Sequence, residues 1–130
     1  MRILALPTVL VGVLAVPGSG EPSAAEMRSA VQATLTAQVQ SVLDYVAATG
    51  GEEALARIRA AHTDEFAISS FTKLDCATSA GKPGHLCDFA LRVAVVSGEL
   101  HATMRGRFLA GPRGLVFVNE DPAQDEASRG

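Results

Sequence analysis

Leu86-Cys87-Asp88-Phe89-Ala90-Leu91-Arg92-Val93-Ala94-Val95-Val96-Ser97-Gly98-Glu99-Leu100-His101-Ala102-Thr103-Met104-Arg105-Gly106-Arg107-Phe108-Leu109 is the stretch that decides the fold. Its hydrophobicity repeats every second residue, the period of a strand whose side chains alternate between two faces. In the first half, Cys87, Phe89, Leu91, Val93 and Val95 share one face, while Asp88, Ala90, Arg92 and Ala94 share the other. In the second half, Leu100, Ala102, Met104, Gly106 and Phe108 oppose His101, Thr103, Arg105 and Arg107. The short polar step between the halves predicts a hairpin. Keeping the apolar faces together permits a turn at Ser97-Gly98 or at Gly98-Glu99 and forbids the slip between them. The second turn sets Arg92 opposite Arg105, a like-charge pair. The first sets Asp88 opposite Arg107, Arg92 opposite Thr103, and the Phe89 ring across from the bare Gly106. A turn at Ser97-Gly98 is therefore expected.

Working outward, Phe66 to Leu74 predicts a first strand, with an irregular step at Ser69-Ser70 that suits a bulge. Leu115 to Val118 predicts a last strand, reached through Gly111-Pro112-Arg113-Gly114. Upstream the period lengthens. Met27, Val31, Leu35, Val39, Val42 and Val46 are spaced by three or four residues, one face of a helix about six turns long. Tyr45 is expected at the edge of the helix-sheet core. Ser23-Ala24-Ala25-Glu26 has the form of a capping box at the start of this helix. Gly50-Gly51 is expected to stop it. Glu52 and Glu53 then suit the start of a second helix, which carries Leu55 and Ile58 and ends near His62. The expected class is α+β: a long N-terminal helix and a short second helix packed on a four-stranded antiparallel sheet. This order of elements resembles the cystatin-like and NTF2-like group, in which a curved sheet wraps a long N-terminal helix, and small exported bacterial proteins of that layout with a cysteine pair stapling the sheet. The resemblance implies a fold and assigns no functional residue.

Three segments are expected along the 130 residues: a secretory signal peptide over 1–20, a single α+β domain over 21–119 and a disordered acidic tail over 120–130. Arg2 gives the leader its positive end, and Ile3 to Val16 is almost wholly apolar. Fourteen residues rise only ~21 Å as a helix, short of the ~30 Å hydrocarbon core, so a permanent span after leader cleavage is not expected. Small residues at Gly18 and Gly20 suit cleavage before Glu21; Ser23 and Ala25 suit cleavage before Glu26. The first site keeps the capping box, worth about 1 kcal/mol. Export gives a periplasmic or secreted address. The two cysteines, Cys76 and Cys87, then meet in an oxidising compartment, where an even count favours a disulfide. The intervening Gly81, Pro83 and Gly84 let the chain turn back on itself. A zinc site would need more ligands than the nearby His85, and the spacing is not that of a redox pair.

The formal net charge is -3. Removing the leader takes away Arg2 and no acid, leaving ten basic against fourteen acidic side chains, a net of -4. The basic field that nucleic-acid binders need is missing, as is a polybasic run for anionic lipid. Phosphate-cradling glycine motifs, a nucleophile elbow and paired metal-binding histidines are also absent, so no cofactor or metal is expected. His62 lies near Asp64 and Glu65, which could orient an imidazole for acid-base work, though the segment reads first as a helix-to-strand turn. The main candidate site is His101, Thr103, Arg105 and Arg107 with Arg92 on the neighbouring strand. Clustered arginines can grip a carboxylate or phosphate through paired hydrogen bonds. The same residues would also serve as the solvated outer face of a one-sided sheet. Three functions are consistent with this: a non-enzymatic binding domain for a protein or a small anionic ligand, a small NTF2-like enzyme with a pocket between helix and sheet, and an envelope component that pairs with its own copies. The first is the leading expectation.

Overall fold

A computed structural model of the chain describes residues 20–120. The leader expected over 1–20, apart from Gly20, and the tail after Glu120 lie outside the described residues. The described chain forms one helix, α1 (Ala24–Ala61), then four strands, β1 (Phe66–Ser79), β2 (Lys82–Val95), β3 (Gly98–Gly111) and β4 (Gly114–Asn119). The strands form a single antiparallel sheet in the order β1-β2-β3-β4, each paired with its neighbour in sequence. The class is α+β.

The start of α1 is fixed by the side chains the spacing singled out. The Ser23 hydroxyl accepts from the Glu26 amide at 3.1 Å, and the Glu26 carboxylate accepts from the Ser23 amide at 2.9 Å. Two amides that the helix leaves without partners are thereby satisfied. Just ahead, Lys73 of β1 ion-pairs with Glu21 and donates to the Pro22 carbonyl at 2.7 Å. Arg28 donates to the Ile68 carbonyl, tying the first turns of α1 to the edge strand.

A separate second helix does not form. Secondary structure runs from Ala24 to Ala61 with one interior residue outside helical geometry, Gly51 (φ 75°, ψ -173°). That conformation is open essentially to glycine alone. A single residue therefore redirects the axis without a connecting loop. The bend is sharp, because Ile58 lines the same cleft as Val42 and Leu43. Gly50 has its own reason to be glycine: a Cβ there would stand 2.7 Å from that of Ala54. The helix ends at His62, which adopts the left-handed conformation (φ 59°) and returns its amide to Ile58 and Arg59.

The core lies between the first turns of α1 and the inner face of the sheet. Met27, Ala30 and Val31 meet Ile68, Cys87, Phe89, Leu91, Phe108 and Phe117. Phe89 is central: Phe71 stacks on it at 5.0 Å, and Phe108 and Phe117 present edges at 5.9 and 5.5 Å. The inner faces of β2 and β3 are those the alternation assigned. The helix stripe is only partly used, since Val42 is 59 % exposed and Tyr45, expected at the core edge, is 69 % exposed. The helix packs chiefly on β4. A six-residue strand spans ~20 Å, whereas the limb from Ala24 to Gly50 rises ~40 Å, so its far half passes beyond the strand that covers its beginning.

The hairpin register also differs from expectation. Val95 pairs with Gly98, which makes the turn Val96-Ser97. This pairing keeps apolar faces together as well as the expected one does, since it differs by two positions. It sets Asp88 opposite Arg105, Arg92 opposite His101 and Phe89 opposite Met104. Gly98 at φ 141° serves the end of the turn rather than its middle. In the first hairpin the turn falls at Ala80-Gly81, so β1 and β2 are longer than the sequence suggested, and Cys76 and Cys87 become direct cross-strand partners. Their disulfide joins β1 to β2 across a Cα separation of 4.0 Å. The β1–β2 register shifts between Ile68 and Ser70, at the irregular step, and again between Lys73 and Cys76 and between Ala77 and Ser79.

Candidate functional site

α1 covers one face of the sheet, and among the described residues the other face is left open. Outward side chains on β1, β2 and β3 align in rows set by the register. One row is Ser70, Arg92 and His101; the next is Thr72, Ala90 and Thr103. The small Ala90 lowers the middle of the second row. Together the rows line a shallow depression of about 410 Å³. Ser70 and Thr72 were absent from the sequence-based group. The bulge at Ser69-Ser70 together with the correct register would have found them, because both bear on which β1 side chains stand beside Arg92.

The five residues expected to form one basic face are divided by the structure. Arg92, His101 and Thr103 lie together at the depression. Arg105 is held by Asp88, with its Nε donating at 2.7 Å. The carboxylate expected to neutralise Arg107 thus serves Arg105, as the two-residue difference in register requires. Arg107 is not on a solvated surface at all. Its side chain is 6 % exposed and donates from Nε to Glu120 at 3.0 Å and from Nη1 to the Pro83 carbonyl at 3.4 Å. Glu120, the first residue assigned to the tail, is therefore part of the described sheet end, and its amide donates to the Arg105 carbonyl.

Arg92 has a different environment. Its guanidinium makes no hydrogen bond or ion pair with a side chain among the described residues, and it stands beside three hydroxyls. The nearby carboxylate is already engaged: Glu99 accepts from the Ser69 hydroxyl at 2.7 Å and faces His101 Nε2 at 3.4 Å. The Ser69 hydrogen bond, then His101 and the charge of Arg92, hold the Glu99 carboxyl below the usual glutamate range despite some opposing desolvation. A guanidinium with free donors, flanked by hydroxyls, can donate to the paired oxygens of a carboxylate or phosphate.

The remaining histidines have other settings. His62 Nδ1 lies 2.8 Å from a Glu65 oxygen in the turn after α1, and that hydrogen bond, with the charge of Glu65, raises its pKa. Its backbone caps the helix, as a turn residue would. His85 borders a hollow of about 520 Å³ at the other end of the molecule, with Glu21, Glu26 and Phe108. Among the described residues, no group of three or more His, Cys, Asp and Glu side chains is placed to hold a metal ion. No helix among them is long and apolar enough to cross a membrane. Comparison with protein-family models, with curated proteins and with solved structures finds no match in any of the three.

Proposed function

We propose that the chain is a small exported binding domain without catalytic chemistry, which meets its partner through the open face of the sheet. The observation that carries this reading is the unequal fate of the arginines. Arg105 and Arg107 are each held by a carboxylate, while Arg92, at a hydroxyl-lined depression, has no ion-pair partner among the described residues. A guanidinium kept free at the surface is available to a partner's anionic group. The partner chemistry is thus a carboxylate or phosphate, presented by a protein or by a small molecule. The Cys76–Cys87 disulfide supports export, because such bonds persist in oxidising compartments. Element order, a helix ahead of an antiparallel sheet, is what supports kinship with the cystatin-like and NTF2-like group.

Calorimetric titration at low ionic strength with a panel of di- and tricarboxylates and phosphate monoesters tests the proposal. The wild-type protein should bind at least one of them. Arg92→Ala should weaken that binding by about tenfold or more, since a hydrogen bond to a charged group contributes ~1.5–3 kcal/mol. Arg105→Ala should bind nearly as the wild type does. Silence across the panel, or equal binding by the Arg92→Ala protein, would remove the sheet face from consideration.

A further inference from the structure

The half of α1 that the described residues leave uncovered forms one wall of a second hollow, separate from the open sheet face. The bend at Gly51 brings the returning limb back beside the outgoing one, so that Ile58 faces the region of Val42 and Leu43. The far ends of β2 and β3 close the opposite side with Val93, Val95 and Leu100. The result is a cleft in two adjoining lobes of about 310 and 250 Å³, which share Gln38, Val39, Thr63 and Asp64. Volumes of this order suit a ligand with a short apolar chain. Exposed apolar side chains also gather here: Val42 lines one lobe and Leu100, 60 % exposed, lines the other.

Beside the neutral Gln38 and Thr63, the charged groups at the cleft are few and of one sign. Among the described residues, the charged side chains lining the lobes are Asp64 and Glu65, with no lysine or arginine beside them. Glu65 is occupied by His62. Asp64 makes no side-chain hydrogen bond among the described residues and meets His62 only through space. Its Oδ1 is the one buried side-chain oxygen or nitrogen among them that folding leaves without a partner. An unsatisfied buried acceptor is costly and calls for a donor. The terminal torsion of aspartate is broad, so the carboxylate can turn either oxygen toward a donor brought into the cleft.

We propose that this cleft binds an organic ammonium ion with an apolar body, the ammonium pairing with Asp64 and the chain lying between Val39, Val42 and Leu100. Charge selects the class: an apolar groove whose only charges are carboxylates favours a cation over an anion of the same shape. The site is independent of the anion-binding face, and loss of either leaves the other intact.

The test is a nitrogen-15 NMR titration of the oxidised, processed protein with n-octylammonium, octanoate and octanol, each below its micellar concentration. Octylammonium should shift the amides of Val39, Val42, Asp64, Val93 and Leu100. Octanoate should bind about tenfold more weakly or worse. Asp64→Asn, nearly isosteric, should lower octylammonium affinity to that of octanol while leaving the rest of the spectrum in place. Equal binding of octanoate, full affinity in the Asn variant, or shifts confined to other surfaces would overturn the proposal. So would concentration-dependent dimerisation that octylammonium abolishes, because the cleft would then belong to a second copy of the chain.

Discussion

Gly106 shows how closely the sheet and its rings are fitted. A Cβ at this position would stand 2.0 Å from Phe117 Cε1 and 2.8 Å from the Val118 carbonyl oxygen. Alanine there must displace an aromatic ring at the centre of the core or push β3 from β4. Gly106→Ala should lower stability by about 2–3 kcal/mol, the range for overpacking a close-fitted site. Urea denaturation checks this: the midpoint should fall with the slope unchanged, and an unaltered midpoint would mean that Phe117 yields freely. The need for a ring over this glycine was legible in the alternation, but the ring's identity was not. Phe89 was expected, whereas Phe117 covers Gly106, reaching it diagonally because Gly106 pairs with Asn119. The arginines teach the same lesson. Alternation places Arg105 and Arg107 on one face, yet their exposure depends on carboxylates that approach from elsewhere, Asp88 across the hairpin and Glu120 from beyond β4. Nothing in the period of a strand records those neighbours.

Elements were legible where their signals are local. The capping box, the bulge at Ser69-Ser70 and the inner faces of β2 and β3 each depend on residues a few positions apart, and each stands where the sequence put it. The turn of the central hairpin depends on more than its own residues. Two registers separated by two positions bury the same side chains, so the burial pattern could not choose between them. The Gly50-Gly51 pair was legible as an interruption, but its form was not, because one glycine at φ 75° does what a loop would otherwise do. Gly51→Ala forces a side chain into that conformation and should reduce stability by about 1–2 kcal/mol, while circular dichroism keeps most of the helical signal. A thermal midpoint equal to wild type would show that the bend does not need the left-handed residue. Periodicity, finally, identified the apolar stripe of α1 but not how far its partner extends, and the part left uncovered is the part that forms the cleft.

At the scale of the whole molecule, the residues that follow the expected cleavage before Glu21 are tied into the fold. Glu21 is paired with Lys73, and the Lys73 hydrogen bond holds the Glu21 carboxyl below its usual range. Pro22 is buried, and Ser23 closes the capping box. Cleavage before Glu26 would discard all three contacts. Intact-mass measurement of exported, unreduced protein should therefore find Glu21 at the N-terminus and Cys76 joined to Cys87. A chain starting at Glu26, or two free thiols, would count against the proposed processing or the oxidising address respectively. The order of the strands carries one more consequence, for the sequence of events as the chain is delivered. Every strand pairs with the next one along, so the sheet can grow by successive hairpins, and the disulfide closes within the first of them. The helix is made first but packs chiefly on the strand made last. A chain emerging N-terminus first thus completes the packing around Met27 and Val31 only when Phe117 has arrived. The interval between those two events is when the protein is most exposed to capture by chaperones or by its own unfinished copies.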